Sequence, residues 1–201
     1  MSCETSAVVA WVATPRPDTV PEVWLLGASA EGATTTARFG LPFALAHFIA
    51  PQVQPSIVHA YRQEFRPSAM LPHPRASIAI AAACAETREE AERLSWTRWA
   101  MRTSPNRLGG GALLPPEEAM AFPYSPLERL YLEITRERSL FGDPPQVKER
   151  LLAIADAVDE ILLVTNTYDF AARLRSYALI ARAFGLEPEA PLSAIGESRA
   201  G

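Results

Sequence analysis

From Val23 to His47 the chain reads VWLLGASAEGATTTARFGLPFALAH, and this stretch leaves few folds open. It is an apolar run, a turn of glycine, alanine and serine, a helix-forming segment and a second apolar run. Residues 23–26 are apolar at consecutive positions, as a parallel strand buried on both faces must be. Residues 42–48 repeat that pattern and are too short for a typical helix. Between them, residues 30–39 predict a helix, with Gly40 placed for a left-handed C-cap. The whole is a βαβ unit. A small-residue turn after its first strand presents backbone N–H groups, and the following helix aims the positive end of its dipole at the same point. Ser29 adds a hydroxyl. The expected ligand is a phosphate, and so a nucleotide-like cofactor.

The same alternation continues. Residues 55–65 predict a helix with Ile57, Tyr61 and Phe65 on one face, and residues 76–84 a third strand. Thr87 with Glu90 three residues on reads as a capping box opening a helix to about residue 101. Residues 104–116, with Gly109-Gly110-Gly111, read as a long loop. Ser125-Pro126-Leu127-Glu128 is a second capping box, for a helix ending near Ser139. Asp143-Pro144-Pro145-Gln146 repeats the device for a helix to about Ala157. Residues 160–165 are the fourth strand. Residues 170–184 are the last helix, with an expected apolar stripe of Phe170, Leu174, Tyr177, Ala181 and Phe184. Residues 1–22 form a proline-rich lead-in with one short strand at AVVAWVAT and Trp11 packed on the domain; the tail from 187 is expected to fray.

Composition narrows the function classes. The 201 residues are 48% hydrophobic, enough for one core and one domain over 1–201. A net charge of −4 provides no basic footprint for nucleic acid. No apolar run approaches the roughly 20 residues that span a bilayer, and the N-terminus has no signal-peptide pattern. Cys3 and Cys84 make no disulfide framework, so a reducing cytoplasm is the expected compartment. No CxxC, HExxH or GxSxG pattern points to a metal site or a serine hydrolase.

WLLGAS followed by GLPFALAHF resembles the centre of the bacterial luciferase-like flavin monooxygenases, in the subgroup whose turn reads LLGSS. The likeness continues through YRQEFRPS at Tyr61 to Ser68, CAETREEAERL from Cys84, TNTYD from Thr165 and RLRSYALIARAF from Arg173, roughly residues 7 to 185. The resemblance implies a TIM-like barrel that binds reduced FMN, or in a related group a deazaflavin, and acts on a small molecule. It matches this chain to strands five to eight of that barrel. The early flavin-contacting strands of the family have no counterpart here.

Four βα units therefore predict an α/β fold, a partial TIM-type barrel corresponding to the C-terminal half. A full barrel needs eight units and typically about 250 residues. A half sheet leaves two open edges and a bare inner face. The expectation is a homodimer or a complementing half-barrel chain, as a truncated product or a split subunit. A non-catalytic half-barrel that self-associates is the alternative. By resemblance, Gly27, Ala28 and Ser29 form the phosphate turn. The family places a serine or threonine one turn further on, where this chain has Gly32, which shifts that role to Thr34 or Thr35. His47 ends the second strand, either to meet flavin or substrate or to bond a loop backbone. Thr165, Asn166 and Tyr168 follow the last strand, either lining the cavity or with Asn166, Thr167 or Asp169 capping the helix. No residue is assigned a catalytic role, and no metal site is expected.

Overall fold

The computed structural model describes residues 21–50, 56–104 and 113–186. The lead-in strand, Trp11, Cys3, the triple-glycine loop and the tail from 187 lie outside the described residues. In chain order the elements are β1 (Leu25–Gly27), α1 (Ala30–Phe39), β2 (Phe43–Leu45), α2 (Ser56–Glu64), β3 (Ala76–Cys84) and α3 (Arg88–Thr103). There follow α4 (Pro116–Ala121), α5 (Pro126–Arg138), β4 (Leu140–Gly142), α6 (Pro144–Ala155), β5 (Glu160–Val164) and α7 (Phe170–Ala183).

Every strand pairing is parallel. β1 pairs with β2, and β2 with residues 76–78 of β3. β5 runs along residues 77–81 of β3, while β4 pairs with its last three residues, 82–84. The partial barrel-like α/β domain expected from the repeated βα units is present. The strand count needs correction, because β4 makes five strands among the described residues rather than four. Its three residues are too few to show a strand period, and pairing with Ala82, Ala83 and Cys84 defines them. The short helix α4 was likewise missed.

Alternation along β3 separates two faces. Ile78, Ile80, Ala82 and Cys84 join Phe43 and Leu45 in a core closed by Ala33 and Ala37 of α1, Val58 and Tyr61 of α2, Val147 and Leu151 of α6, and Ile180 of α7. Each fully buried Ile, Leu or Phe here contributes about 1.5–3 kcal/mol relative to exposure. The predicted α2 face holds: Tyr61 is buried, and Ile57 and Phe65 pack on the same core. Residues Ser77, Ala79, Ala81 and Ala83 point the other way. A second core of Trp99, Leu94, Tyr124, Leu132 and Phe141 joins α3, α4 and α5 over the end of β3.

Local chemistry sets the joints. Gly40 closes α1 at φ 61°, and a Cβ there would fall 2.6 Å from the Arg66 carbonyl oxygen, so only glycine fits. Ser125 with Glu128 and Asp143 with Gln146 form reciprocal capping boxes, as expected. Thr87 is only half of one. Its hydroxyl accepts from the Glu90 N–H, but the Glu90 carboxylate is held by Arg93 at 2.7 Å instead of turning back. The stripe expected on α7 also fails in part. Phe170, Leu174 and Tyr177 are exposed, and the buried residues are Ser176 and Ile180. Ser176 is drawn inward because its hydroxyl accepts from the Cys84 N–H at 2.9 Å.

Candidate functional site

Register brings the candidates to one end of the sheet. Gly27 lies beside Leu45, so Ser29 and His47, two residues beyond each, leave adjacent strands on the same rim. Thr165 and Asn166 leave β5 at that end too. In (β/α) barrels this C-terminal rim is where sites are built.

At the first turn Ser29 is the N-cap of α1, and its hydroxyl accepts from the Gly32 N–H at 3.1 Å. The amides of Ser29, Ala30 and Glu31 have no partner among the described residues. They lie where the dipole of α1 is positive. An open cavity of ≈ 380 Å³ is lined by Gly27, Ser29, Glu31, Gly32 and Thr35. Of Thr34 and Thr35, expected to replace a family hydroxyl, Thr35 lines this cavity and Thr34 does not; Thr36 also lines it, but its hydroxyl donates back to the Gly32 carbonyl at 2.7 Å. Gly27 has a packing reason as well, since a Cβ there would come within 3.2 Å of the Phe43 ring. The donor set fits a phosphate, although the Glu31 carboxylate shares the cavity and opposes its charge.

His47 is half-buried, and its ring has no hydrogen-bond partner among the described residues. The loop-backbone bond considered for it is not made to any described residue. Burial lowers its pKa below the usual 6.5, so the ring is neutral in neutral solution. It lines a cleft with Phe48, Ala81, Arg98, Arg102, Thr135, Arg138 and Ser139. Asn166 borders the adjoining cleft with Arg98 and Trp99. Asn166 is not a helix cap: its side-chain oxygen accepts from Arg98 at 2.7 Å, and Asp169 caps α7. Thr165 is tied to the Ala82 carbonyl, and Tyr168 is exposed.

Arg98 and Arg102 were not singled out from the sequence. They stand one turn apart on α3, in WTRWAMR, and the only sequence signal is that i, i+4 spacing. Arg98 also donates to the Phe48 carbonyl at 2.6 Å, tying the loop after β2 to the loop after β5. Burial, with Arg102 beside it, pulls the Arg98 guanidinium down to about 10. Elsewhere the expectations are plain. His59 is exposed against Gln63, and His73 lies in an exposed loop. Cys84 is buried, and the Glu89–Arg93 segment is an ion-paired helix face. No helix among the described residues is long and apolar enough to cross a membrane, and no cluster of three metal-ligating side chains occurs among them.

Comparison with known proteins identifies the family of the chain. The family model described as luciferase-like monooxygenase matches residues 4–189. The chain is 37% identical over 180 residues to the uncharacterized protein YwcH of Bacillus subtilis strain 168, covering 86% of this chain and 53% of that protein. It is 36% identical over 160 residues to a luciferase-like monooxygenase of Escherichia coli K12, covering 78% and 48%. Among solved structures, apo-MsnO8 superposes with a TM-score of 0.77 at 34% identity, covering 92% of this chain and 57% of that one. The chain spans about half the length of the curated relatives it matches. The chain belongs to the luciferase-like monooxygenase family.

Proposed function

We propose that this chain is the flavin-phosphate-bearing half of an FMN-dependent, luciferase-like oxidoreductase of the monooxygenase type. The observation that carries this reading is the set of uncommitted amides at Ser29, Ala30 and Glu31, at the rim end of β1, with the Ser29 and Thr35 hydroxyls beside them. Gly27 and Ala28 keep the turn small enough for a phosphate to reach those amides. The dipole of α1 favours the dianion, typically by about 0.3–1 kcal/mol. Bound flavin supplies the redox chemistry. The protein orients it and keeps water away. His47, neutral and without a partner among the described residues, can donate one hydrogen bond to flavin or substrate across the rim, or accept one. A deazaflavin phosphate would use the same donors. The cysteines suit a reducing cytoplasm.

The test is an FMN fluorescence-quenching titration of the full chain with Ser29→Ala and Ser29→Asp. Aspartate is as good an N-cap as serine, so Ser29→Asp keeps α1 capped but sets a carboxylate against the phosphate. The expected result is saturable binding, weakened about tenfold or more by Ser29→Asp with the melting temperature unchanged. Equal binding by wild type and Ser29→Asp would move the phosphate elsewhere. A deazaflavin cofactor titrated in parallel decides between the two cofactors.

A second reading is a non-catalytic half-barrel that associates with itself or with a complementing chain. What favours it is the exposed apolar surface on both outer strands, Leu26 on β1 and Leu162 on β5.

A further inference from the structure

Arginine side chains in this molecule differ in what they meet: several pair with carboxylates, and others, such as Arg150, which donates to the Ser139 carbonyl, do not. Arg62, Arg75, Arg93, Arg136 and Arg175 each meet a carboxylate. Arg98 and Arg102 meet none among the described residues, although they neighbour each other on α3. Their bonds go to neutral oxygens: Arg98 to the Phe48 carbonyl and the Asn166 amide, Arg102 to the Ile49 carbonyl. A guanidinium has five N–H donors, so three on Arg98 and four on Arg102 have no partner among the described residues. Two like charges held side by side, one of them largely desolvated, are stabilised by an anion placed between them.

The place for that anion is the mouth of a cleft. Arg98 and Arg102 line it together with His47 and Arg138, and its enclosed part, ≈ 20 Å³, has room for little more than a water, so the anion sits at the open mouth. Its two hydroxyls are spent internally. Thr135 donates to the Tyr131 carbonyl, and Ser139 donates to the Thr135 carbonyl while accepting from the Trp99 indole. The recognition chemistry left is charge, with the planar fork of Arg98 suited to an oxyanion. The cleft shares no lining residue with the phosphate turn at Ser29. Both open on the same rim, since β1 and β2 are adjacent and in register.

We propose that Arg98 and Arg102, with Arg138 at the mouth, form a second anion site that receives the carboxylate of an acidic small-molecule substrate, while the cofactor phosphate sits at Ser29. That the occupant is a substrate rests on the flavin reading above; the binding of an anion does not. The site gives the reaction a substrate class: organic acids anchored by their carboxylate at the rim, with His47 between anchor and cofactor. Arg98 has a positioning role as well, because the same guanidinium ties the loops after β2 and β5.

The test is calorimetric titration of the full chain with benzoate and, separately, with inorganic phosphate, at matched chloride. Arg98 is left intact because its removal also frees two loops. The variants are Arg102→Gln, Arg102→Lys and Arg138→Gln, each checked by thermal melt, and Ser29→Asp. Saturable benzoate binding is expected, weakened about tenfold by Arg102→Gln, partly recovered in Arg102→Lys, weakened less by Arg138→Gln and unchanged by Ser29→Asp. The absence of saturable benzoate binding to the folded chain would overturn the proposal and leave the arginines as loop clamps. So would FMN binding that is lost in Arg102→Gln and kept in Ser29→Asp, because the cleft would then hold the cofactor phosphate. Benzoate binding without FMN binding would sink the flavin reading alone.

Discussion

At the scale of single residues, position on the rim separates chemistry from packing. Ser29 is exposed and caps a helix whose first amides are open; Cys84, also at a strand end, is sealed beneath Ser176. Burial pushes the Cys84 thiol from 9.0 up to about 11, with the carboxylates of Asp143 and Glu86 adding to the shift. The folded thiol therefore resists ionisation. Its contribution to stability is fully present below pH 9, where the unfolded thiol is also protonated. It is lost as pH rises from 9 towards 11, where the unfolded chain ionises and the folded one does not. Two consequences are expected. Cys84 should remain unreactive to iodoacetamide at pH 8 until urea unfolds the chain, and Cys84→Ala should flatten the stability loss between pH 9 and 11. Alkylation of Cys84 at the same rate in the folded and unfolded chain would refute its burial. Cys3 must be replaced by serine for either measurement.

Elements here begin with side-chain caps and end with packing. The boxes at Ser125–Glu128 and Asp143–Gln146 each satisfy helix amides that would otherwise have no internal partner. The second does more. It opens α6 directly after β4, and the Gln146 side chain folds so close to Gly142 that a Cβ there would lie 2.5 Å from its oxygen. Strand end, glycine and cap thus form one joint. Asp143→Ala should cost about 1 kcal/mol in urea unfolding, and Asp143→Ser should recover most of it. If serine is as destabilised as alanine, the carboxylate acts through its charge rather than through its bond to the Gln146 N–H. The long helix α3 has a different task. Its buried side packs Leu94, Trp99 and Ala100 into the second core, and Arg98 and Arg102 reach back over the rim.

For the whole molecule the governing fact is an open parallel sheet. Parallel sheets are normally covered on both faces, yet the helices of the main core pack on one. Leu26 and Leu162 alternate with residues that face the helices, so they belong to the other face, and they are 59% and 48% exposed. Phe170 and Leu174 add apolar surface on α7. Exposed apolar surface of this kind marks interaction sites, and the expected occupant is a second copy or a complementing chain. Light scattering behind size exclusion should find the purified chain dimeric or larger, and Leu26→Lys with Leu162→Lys should shift it towards monomer. A monodisperse wild-type monomer with one cooperative melt would show that the sheet is stable with its edges open.

The order of elements and most of their ends were determined by the sequence itself. Caps such as Asp143–Gln146, the C-cap at Gly40 and the apolar runs at residues 25–27 and 76–84 act over a few residues, where side-chain chemistry is local. The capped turn proposed to hold the phosphate was legible for the same reason, because Ser29, Gly32 and the start of α1 lie within one helical turn. What tertiary structure alone decided depends on distant partners. β4 exists because residues 140–142 meet residues 82–84. The buried face of α7 follows Ser176, held by the Cys84 N–H, and Ile180; of the expected apolar stripe Phe184 packs on the core while Phe170, Leu174 and Tyr177 stay exposed. The cleft of Arg98 joins residue 48 to residue 166 through a side chain on a third element. No periodicity encodes such a contact; it forms only when the sheet brings three strand ends to one rim.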